Sequence, residues 1–383
     1  SHRLRELATM ADRMVVLRNG GIMLEGEPRE VLKESEKLYE VGLFPPEITR
    51  LALKLRDAGI DAFINGKPPV TVEEGYKGIL HAMKSKVLTP RVSHMISRKE
   101  KQPKRLGEKP IIETKDLWHV YPRNVVAVKN LNLKIYSGEF MAIIGQNGSG
   151  KTTLIKHFNG LLKPTQGGVY VKGIDTTKTT VSQLARIVGF VYQNPDDQMV
   201  SFRVKEEVEY GPKNLGLSEK EIEKLAVEAL KEVGMEQNIE KYIFELSQGE
   251  RQRVAIASVL AMNPEVLVVD EPTTGQDPAT SKQIFRLLEK LNKKGSTVVI
   301  VTHSMNLVAE FAERVVVLKD GEIIMDGDTQ SVYSKPEILE KTAQEPPDVM
   351  KLGQMLKDYN IPTWVSTADE MYNFLLNLFK GGD

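Results

Sequence analysis

A glycine-rich segment in the middle of the chain has the spacing of a phosphate-binding loop. Residues 145–152 read Gly-Gln-Asn-Gly-Ser-Gly-Lys-Thr and satisfy the pattern G-x-x-x-x-G-K-[ST]. Glycines let successive backbone N–H groups point at one anion, and the dipole of a helix that starts near Lys151 favours the same charge. Lys151 is then placed to reach the β- and γ-phosphates, and the Thr152 hydroxyl to bind Mg²⁺. The segment predicts a nucleoside triphosphate site.

Two later segments end in groups that suit phosphate chemistry. The apolar run 266–269 is followed by Asp270 and Glu271, and the run 297–301 is followed by Thr302 and His303. Asp270 is expected to hold Mg²⁺, directly or through water, and Glu271 to activate the attacking water as a general base. His303 is expected to contact the γ-phosphate.

These groups need a sheet that brings them together. The runs 140–144, 266–269 and 298–301 are short and wholly apolar, which is typical of buried parallel strands. Helix-like segments lie between them. We therefore predict an α/β fold with a parallel sheet and a site at the carboxyl ends of its strands.

Composition narrows the class of protein. Lys plus Arg and Asp plus Glu both number 52, which argues against a strongly basic nucleic-acid binder. There is no cysteine, so disulfides, thiolate zinc sites and cysteine nucleophiles are excluded. Apolar runs such as 266–269 and 298–301 are far shorter than the roughly 18 residues of a membrane-spanning helix. We therefore expect any membrane role to come through a partner.

Part of the chain repeats itself. Residues from Ser1 align with residues from Thr302 at a constant offset of 301, and five residues are skipped before the last matching segment. Matched pairs include His2 with His303, Arg13 with Arg314, Gly20 with Gly321, Gly26 with Gly327, Pro45 with Pro346 and Tyr76 with Tyr372. The motifs described above precede the second copy alone. The first copy is interpreted as the end of a domain whose front half is absent; a free-standing duplicated small domain remains an alternative.

The segment Leu246-Ser-Gln-Gly-Glu250, followed by Arg-Gln-Arg-Val-Ala-Ile, resembles the signature motif of ATP-binding cassette (ABC) ATPases. The resemblance covers about 111–329 as a whole nucleotide-binding domain and 1–27 as the end of another. It implies a P-loop NTPase fold of ABC type: a RecA-like parallel sheet core, an antiparallel β subdomain, a helical signature subdomain at about 198–250 and small helical C-terminal appendages.

The resemblance also implies roles for individual residues. Tyr121 resembles the aromatic residue that stacks on adenine, and Gln193 the glutamine that touches Mg²⁺ and the attacking water. Residues 275–277 resemble the D-loop, and His303 the switch histidine. The residues expected to bind ATP are Tyr121, Gly145, Asn147, Gly148, Ser149, Gly150, Lys151, Thr152, Thr153, Ser247 and Gly249. Those expected to act in catalysis are Glu271, His303, Gln193 and Lys151, and those expected to bind Mg²⁺ are Thr152, Gln193 and Asp270.

Three positions depart from the family pattern. Gln248 stands where glycine is commonest, Glu250 where glutamine is usual, and Gln276 where an apolar residue is usual. None removes a group that contacts phosphate, so activity is still expected, with altered coupling between sites. In this family two cassettes associate head to tail, so Ser247 and Gly249 are expected to close over the ATP of a second cassette, in a longer chain or by homodimerisation.

The segments 193–198 and 204–216 resemble the ATPases of energy-coupling factor (ECF) and cobalt-type importers. This implies import of vitamins or transition-metal ions, powered by ATP-driven cassette closure at the cytoplasmic face of the membrane. The implied partners are an integral membrane T component and a small membrane protein that captures the substrate, which the ATPase does not touch. A soluble translation-factor-like ATPase acting on ribosome or RNA is the alternative, and an exporter is a further one.

We therefore divide the chain into four parts. Residues 1–83 are interpreted as the end of a first cassette with its appendage, 84–110 as a basic linker, 111–329 as a complete cassette and 330–383 as a second appendage. The linker is expected to be a solvated tether, with docking on nucleic acid or anionic lipid as the alternative. The appendages carry capping boxes at Thr71/Glu74 and Thr367/Glu370. They serve either internal packing or contact between the two appendages in a dimer.

Overall fold

The computed structural model describes residues 4–85, 106–342, 344–359, 361–362 and 365–380. Most of the predicted linker 84–110 and His2 lie outside the described residues. No helix in the described ranges is long and apolar enough to cross a membrane.

The described residues form two compact units. The larger unit takes its residues from Lys101–Gln276 and Thr280–Glu345, and the smaller unit from Ser1–Glu100, Asp277–Ala279 and Pro346–Asp383. The strands are β1 (Met14–Arg18), β2 (Gly21–Gly26), β3 (Pro110–Tyr121), β4 (Val125–Tyr136), β5 (Phe140–Ile144), β6 (Gln166–Val171), β7 (Ile174–Asp175), β8 (Val188–Val191), β9 (Val266–Asp270), β10 (Thr297–Val301), β11 (Arg314–Lys319) and β12 (Glu322–Asp328). The helices are α1 (Leu4–Met10), α2 (Pro28–Lys33), α3 (Ser35–Glu40), α4 (Glu47–Asp57), α5 (Val72–Ser85), α6 (Lys151–Phe158), α7 (Val181–Ala185), α8 (Val204–Asn214), α9 (Glu219–Glu232), α10 (Gln248–Leu260), α11 (Pro278–Lys293), α12 (Met305–Phe311), α13 (Thr329–Tyr333), α14 (Pro336–Glu340), α15 (Asp348–Met355) and α16 (Ala368–Lys380).

The larger unit is built on a six-stranded sheet of order β12–β11–β5–β10–β9–β8. All neighbours run parallel except the edge pair β11–β12. Strands β5, β9 and β10 are buried at every position, as their unbroken apolar runs predict. Val301 lies opposite both Asp270 and Ile143 in the ladder. The carboxyl ends of these three strands are therefore level, and the segments that follow them leave from one edge of the sheet.

A second, antiparallel sheet of order β4–β3–β6–β7 shares a hydrophobic core with the first sheet and α6. Tyr121 is the last residue of its strand β3. This sheet is the antiparallel β subdomain that the sequence predicts. It places an aromatic side chain at the end of a long strand that shares its core with the phosphate-loop helix.

Helices α8, α9 and α10 pack together as a helical region of the larger unit. Ser218 and Glu221 form a capping box at the start of α9, in which each side chain bonds the other residue's backbone. Gly234, with φ +69°, follows the end of α9, as expected for a residue that must adopt a left-handed conformation.

The smaller unit contains the hairpin β1–β2 and four amphipathic helices. The hairpin has the same register as β11–β12, and both ladders shift at positions 301 residues apart, between Val16 and Leu17 and between Val317 and Leu318. The helices α4, α5, α15 and α16 share one hydrophobic core. Helix α4 packs on α16, and α15 on α5. The two appendages therefore contact each other within one chain, and each repeat uses the same pair of surfaces for this contact.

Candidate nucleotide site

The phosphate loop 145–152 connects β5 to α6. Gly145, Gly148 and Gly150 have φ values of +151°, +81° and +97°. A Cβ at Gly145 would lie 2.2 Å from the carbonyl oxygen of Leu318, and one at Gly150 would lie 2.3 Å from that of Ala127. No side chain fits at either position, so the glycines are required by the packing of the loop as well as by its backbone angles. Asn147 and Gly148 are exposed at the tip of the loop.

The ammonium group of Lys151 lies inside this loop. Its Nζ donates to the carbonyl oxygens of Gly145 and Gln146 at 2.7 and 2.9 Å. Burial lowers its pKa, which the carboxylates of Asp270 and Glu271 oppose. The Oγ of Ser149 is buried and has no hydrogen-bond partner among the described residues. The loop therefore holds a cation and a buried hydroxyl at the position where phosphate oxygens are expected.

Thr152 and Asp270 meet at the start of α6 and the end of β9. The Thr152 hydroxyl donates to Oδ2 of Asp270 at 2.9 Å. The other carboxylate oxygen, Oδ1, is buried without a hydrogen-bond partner in the part of the chain that the structure describes. Burial raises the pKa of Asp270, which the hydrogen bond from Thr152 opposes. A hydroxyl and an orphaned carboxylate oxygen are the hard donors that Mg²⁺ prefers, so these two residues fit a magnesium ion.

Glu271 and His303 face each other across the ends of β9 and β10. Nε2 of His303 lies 2.9 Å from Oε1 of Glu271, and the His303 backbone N–H donates to Oε2 at 3.3 Å. Glu271 has φ +44°, and its N–H donates to the Val301 carbonyl at 2.8 Å. Burial raises the pKa of Glu271 to about 7, with Lys151 acting in the opposite direction. A carboxylate with this pKa suits a general base near neutral pH.

His303 has a second partner that sequence reasoning missed. Nε2 of Gln344 lies 3.2 Å from Nδ1 of His303. Gln344 follows α14 in the segment predicted as an appendage, and no motif singled it out. Its contact depends on how a chain segment 41 residues away returns to the sheet edge.

Tyr121 lies beside the first turn of α6. Its hydroxyl is 3.2 Å from Oγ1 of Thr153, and its ring makes an edge contact with His119 at 4.5 Å between ring centroids. The structure thus brings Tyr121 close to the phosphate loop. Stacking on adenine remains a prediction.

Gln193 follows β8 and is exposed. Gln198, at the other end of the segment 193–198, bonds this loop to the rest of the helical region. Sequence reasoning also missed this role of Gln198. Oε1 of Gln198 accepts from the Tyr192 N–H at 3.1 Å, and its Nε2 donates to the Ala255 carbonyl at 2.9 Å and to the Ser258 hydroxyl at 3.0 Å. The sequence offers one sign of the importance of Gln198, namely that it belongs to the motif 193–198.

The signature segment forms the start of α10. Ser247 caps this helix: its Oγ accepts from the Glu250 N–H at 3.3 Å and donates to the Glu250 carboxylate at 2.7 Å. These hydrogen bonds lower the pKa of Glu250. The unusual Glu250 thus completes a capping box. Gly249 is buried against Thr280 and Gln276.

The other two departures from the expected pattern meet at the junction between the signature segment and residues 274–276. Nε2 of Gln248 donates to the Thr274 carbonyl at 3.4 Å, and a Cβ at Gly249 would lie 3.3 Å from Oε1 of Gln276. Two long polar side chains therefore connect these segments. Asp277 follows in the chain, and its carboxylate accepts from the Ala279 N–H at 2.8 Å.

The site residues thus fall into two groups. Lys151, Thr152, Asp270, Glu271 and His303 converge at one edge of the parallel sheet. Ser247 makes its contacts within the helical region, and Gly249 lies against Gln276 and Thr280. No cluster of three or more histidine, aspartate or glutamate residues that could hold a metal ion occurs in the described ranges.

Comparison with known proteins identifies close relatives. The sequence pattern described as ABC transporter matches residues 128–274. A putative ABC transporter ATP-binding protein of Caldanaerobacter subterraneus is 39% identical over 351 residues, which are 92% of this chain and 60% of that protein. An energy-coupling factor transporter ATP-binding protein, EcfA, of Methanocaldococcus jannaschii is 45% identical over 274 residues, which are 70% of this chain and 98% of that protein. The chain thus spans about 60% of the first relative's length.

Solved structures of ATP-binding cassettes are also similar to this chain. The cbiO1 protein of Clostridium perfringens, described as part of the ABC transporter complex cbiONQ, has 37% identity and a TM-score of 0.57, covering 65% of this chain and all of that one. A dimeric ATP-binding cassette bound to ADP and Pi has 36% identity and a TM-score of 0.52, covering 57% of this chain and 98% of that one.

Proposed function

Since the chain belongs to the family of ABC transporter ATP-binding cassettes, we propose that it is the ATP-binding and ATP-hydrolysing subunit of an ECF-type importer. The observation that carries the proposal is the convergence of Lys151, Asp270, Glu271 and His303 at one sheet edge, beside a loop that only glycines can form. The relatives named EcfA and cbiO1 support the importer class.

In the proposed reaction, the loop N–H groups and Lys151 bind the β- and γ-phosphates. Glu271 accepts a proton from water as that water attacks the γ-phosphorus, and ADP leaves with the bridging oxygen. His303 donates from Nε2 to the γ-phosphate, while Gln193 helps to orient the water. Mg²⁺, held by Thr152, Asp270 and Gln193, would neutralise phosphate charge. Tyr121 stacks on the adenine.

We propose that Ser247 and Gly249 complete the site of a second cassette. Their contacts lie in the helical region rather than at the phosphate loop of the same cassette, so we assign them to an ATP bound by another cassette. Dimeric cassettes occur among the structures similar to this chain. The repeat suggests that this second cassette belongs to a longer chain, with 1–83 as its end, 84–110 as the linker, 111–329 as the cassette described above and 330–383 as its appendage. A second copy of this chain is the other source.

An exposed apolar surface supports a membrane partner. Phe202, Phe244 and Val200 are 79, 73 and 61% exposed, and the Phe202 carbonyl accepts from the Ile243 N–H at 2.9 Å, which ties the two segments together. We call this set the aromatic patch. Val200 and Phe202 directly follow residues 193–198 in the chain. Exposed aromatic side chains on this scale are typical of interaction sites, and we assign them to a cytoplasmic helix of the integral membrane T component.

The proposed protein therefore acts peripherally at the cytoplasmic face of the membrane. It hydrolyses ATP while a small membrane protein captures the vitamin or transition-metal ion. This chain makes no contact with the transported substrate.

The test is capture of partners with ATP bound. A tagged chain carrying Glu271→Gln is expressed in its source organism, solubilised in mild detergent with ATP, and its partners are identified by mass spectrometry. We expect a polytopic membrane protein in near-equal amount, which is lost with Phe202→Ser/Phe244→Ser and kept with the control Val181→Ser, an exposed residue outside the patch. Ribosomes or RNA without a membrane protein would overturn the importer in favour of a translation-factor-like ATPase.

A further inference from the structure

We propose that Gln344 is a positioning residue that selects the imidazole tautomer of His303. Its side-chain amide fixes the proton of His303 on Nε2, the nitrogen that faces Glu271. The consequence for catalysis rests on the proposed function, in which His303 donates from Nε2 to the γ-phosphate. The tautomer itself does not depend on it.

The segment that carries Gln344 is held by local hydrogen bonds. The Gln344 N–H donates to the Leu339 carbonyl at 3.1 Å, and the Thr342 hydroxyl donates to the same oxygen at 2.7 Å. Leu339 and Thr342 are wholly buried, and Gln344 is 8% exposed. A buried side chain on an anchored turn has few rotamers available, so its amide is held in place.

The orientation of the amide follows from its second contact. Nε2 of Gln344 lies 3.5 Å from the Gly145 carbonyl oxygen, at the limit for a hydrogen bond, and 3.2 Å from Nδ1 of His303. A carbonyl oxygen only accepts, so the NH₂ end of the amide, not its oxygen, faces both groups. The same Gly145 carbonyl accepts from Lys151 at 2.7 Å. Gln344 therefore connects His303 to the first residue of the phosphate loop.

The chemistry of the contact then selects the tautomer. The amide NH₂ only donates, so Nδ1 of neutral His303 must accept, and the ring proton lies on Nε2. That nitrogen is 2.9 Å from Oε1 of Glu271. Orientation of a functional histidine through its other ring nitrogen is a general device for fixing ring position and proton.

The repeat gives this inference a further consequence. At the offset of 301, Gln344 corresponds to Leu43, which has no hydrogen-bonding side chain. The backbone of the two segments ends alike, because the Leu43 N–H donates to the Leu38 carbonyl at 2.9 Å as the Gln344 N–H does to the Leu339 carbonyl. The difference lies in the side chain alone: position 43 offers no amide that could select a histidine tautomer.

The test reads the tautomer directly by ¹⁵N NMR of the histidine side chains in the whole chain without nucleotide, at about pH 8, above the ordinary histidine pKa of about 6.5. His303→Ala assigns the signals. We expect the Nε2–H form in the unsubstituted chain and a ratio of Nε2–H to Nδ1–H that falls about fivefold or more in Gln344→Leu, since one hydrogen bond is lost. The near-isosteric Gln344→Glu presents an acceptor and should reverse the preference to Nδ1–H. Lys341→Leu, at an exposed position of the same segment, should change nothing.

ATP hydrolysis provides the second measurement. Gln344→Leu should lower kcat about five- to tenfold with KM for ATP nearly unchanged, because the lost interaction orients a catalytic group rather than binding the substrate. Unchanged His303 signals in both Gln344 variants would overturn the proposal, even if activity fell, since that fall would be structural. If the tautomer changes as expected but the unsubstituted chain neither binds nor hydrolyses ATP, the proposed function fails and the positioning role stands.

Discussion

The side-chain amide of Gln198 donates a 3.0 Å hydrogen bond to the hydroxyl of Ser258, and it thereby joins the loop after β8 to the last turn of the signature helix α10. An ion pair between Asp196 and Arg251, 2.9 Å apart, links the same two segments. Movement of residues 193–198 is therefore expected to pull on the helix that carries Ser247 and Gly249. These two contacts connect the loop beside the aromatic patch with the signature segment.

Removal of the Gln198 amide should loosen this connection. Gln198→Leu removes the side-chain acceptor of the Tyr192 N–H and one of the two side-chain donors to the Ala255 carbonyl, and we expect a loss of about 1–3 kcal/mol in the free energy of unfolding. Ser258→Ala removes one of the three contacts and should cost less. Urea denaturation of both variants tests the order, and equal costs would contradict it.

Replacement of the general base should separate binding from hydrolysis. Glu271→Gln keeps the shape of the side chain but cannot accept a proton, so we expect kcat to fall by about 10²–10⁴ while ATP still binds. Glu265→Gln, at an exposed carboxylate paired with Lys172, is the matched control and should keep full activity. Calorimetric ATP binding and steady-state hydrolysis check both; retention of hydrolysis in Glu271→Gln would exclude Glu271 as the base.

Gly249 allows a test that separates packing from function. In Gly249→Ala the new methyl would lie 2.7 Å from Cγ2 of Thr280, so we expect a destabilisation of about 1–3 kcal/mol. Adding Thr280→Ser removes that methyl group, keeps the hydroxyl and should restore most of the stability. If ATP hydrolysis stays low in the restored double variant, Gly249 acts directly at a nucleotide site. Recovery of hydrolysis together with stability would contradict that role.

His157 should make stability depend on pH. Burial lowers its pKa from 6.5 to about 4, with its Nδ1 hydrogen bond to the Thr153 carbonyl in opposition. Between these values the unfolded chain binds the proton and the folded chain does not, so the free energy of unfolding falls as pH drops from about 6.5 to 4, by at most about 3 kcal/mol. Above pH 6.5 the contribution is fully present. Urea denaturation at several pH values should give a smaller slope for His157→Gln than for the unsubstituted chain.

The two appendages should respond alike to equivalent substitutions. Leu55 and Leu356 are related by the repeat, and both are wholly buried in the core shared by α4, α5, α15 and α16. Because each repeat contributes the same surfaces, Leu55→Ala and Leu356→Ala should each destabilise this helical core by about 2–5 kcal/mol. Hydrogen exchange of these four helices measures both. A large effect from one substitution and none from the other would show that the two copies do not contribute equally to this core.

Several features of this protein follow from the sequence alone because they are local or periodic. The glycine, lysine and threonine spacing of residues 145–152 predicts a phosphate loop, and the apolar runs of β5, β9 and β10 predict buried parallel strands. The capping box at Ser218 follows from two residues three positions apart. The ABC family and the α/β fold predicted from these motifs are confirmed by the comparisons and by the sheet. The domain division and the individual site roles remain predictions.

Other features depend on contacts between distant parts of the chain, which no local pattern encodes. The parallel register places Asp270 level with Val301, and this brings Glu271 to His303. The segment after α14 returns to the sheet edge and brings Gln344 to Nδ1 of His303, 41 residues away in sequence. Burial, which raises the pKa of Glu271 and lowers that of Lys151, is a property of the packed unit as a whole. The sequence thus determined which groups are available for chemistry, and the tertiary structure decided which of them face each other and in which protonation state, because distance and solvent exclusion arise only on packing.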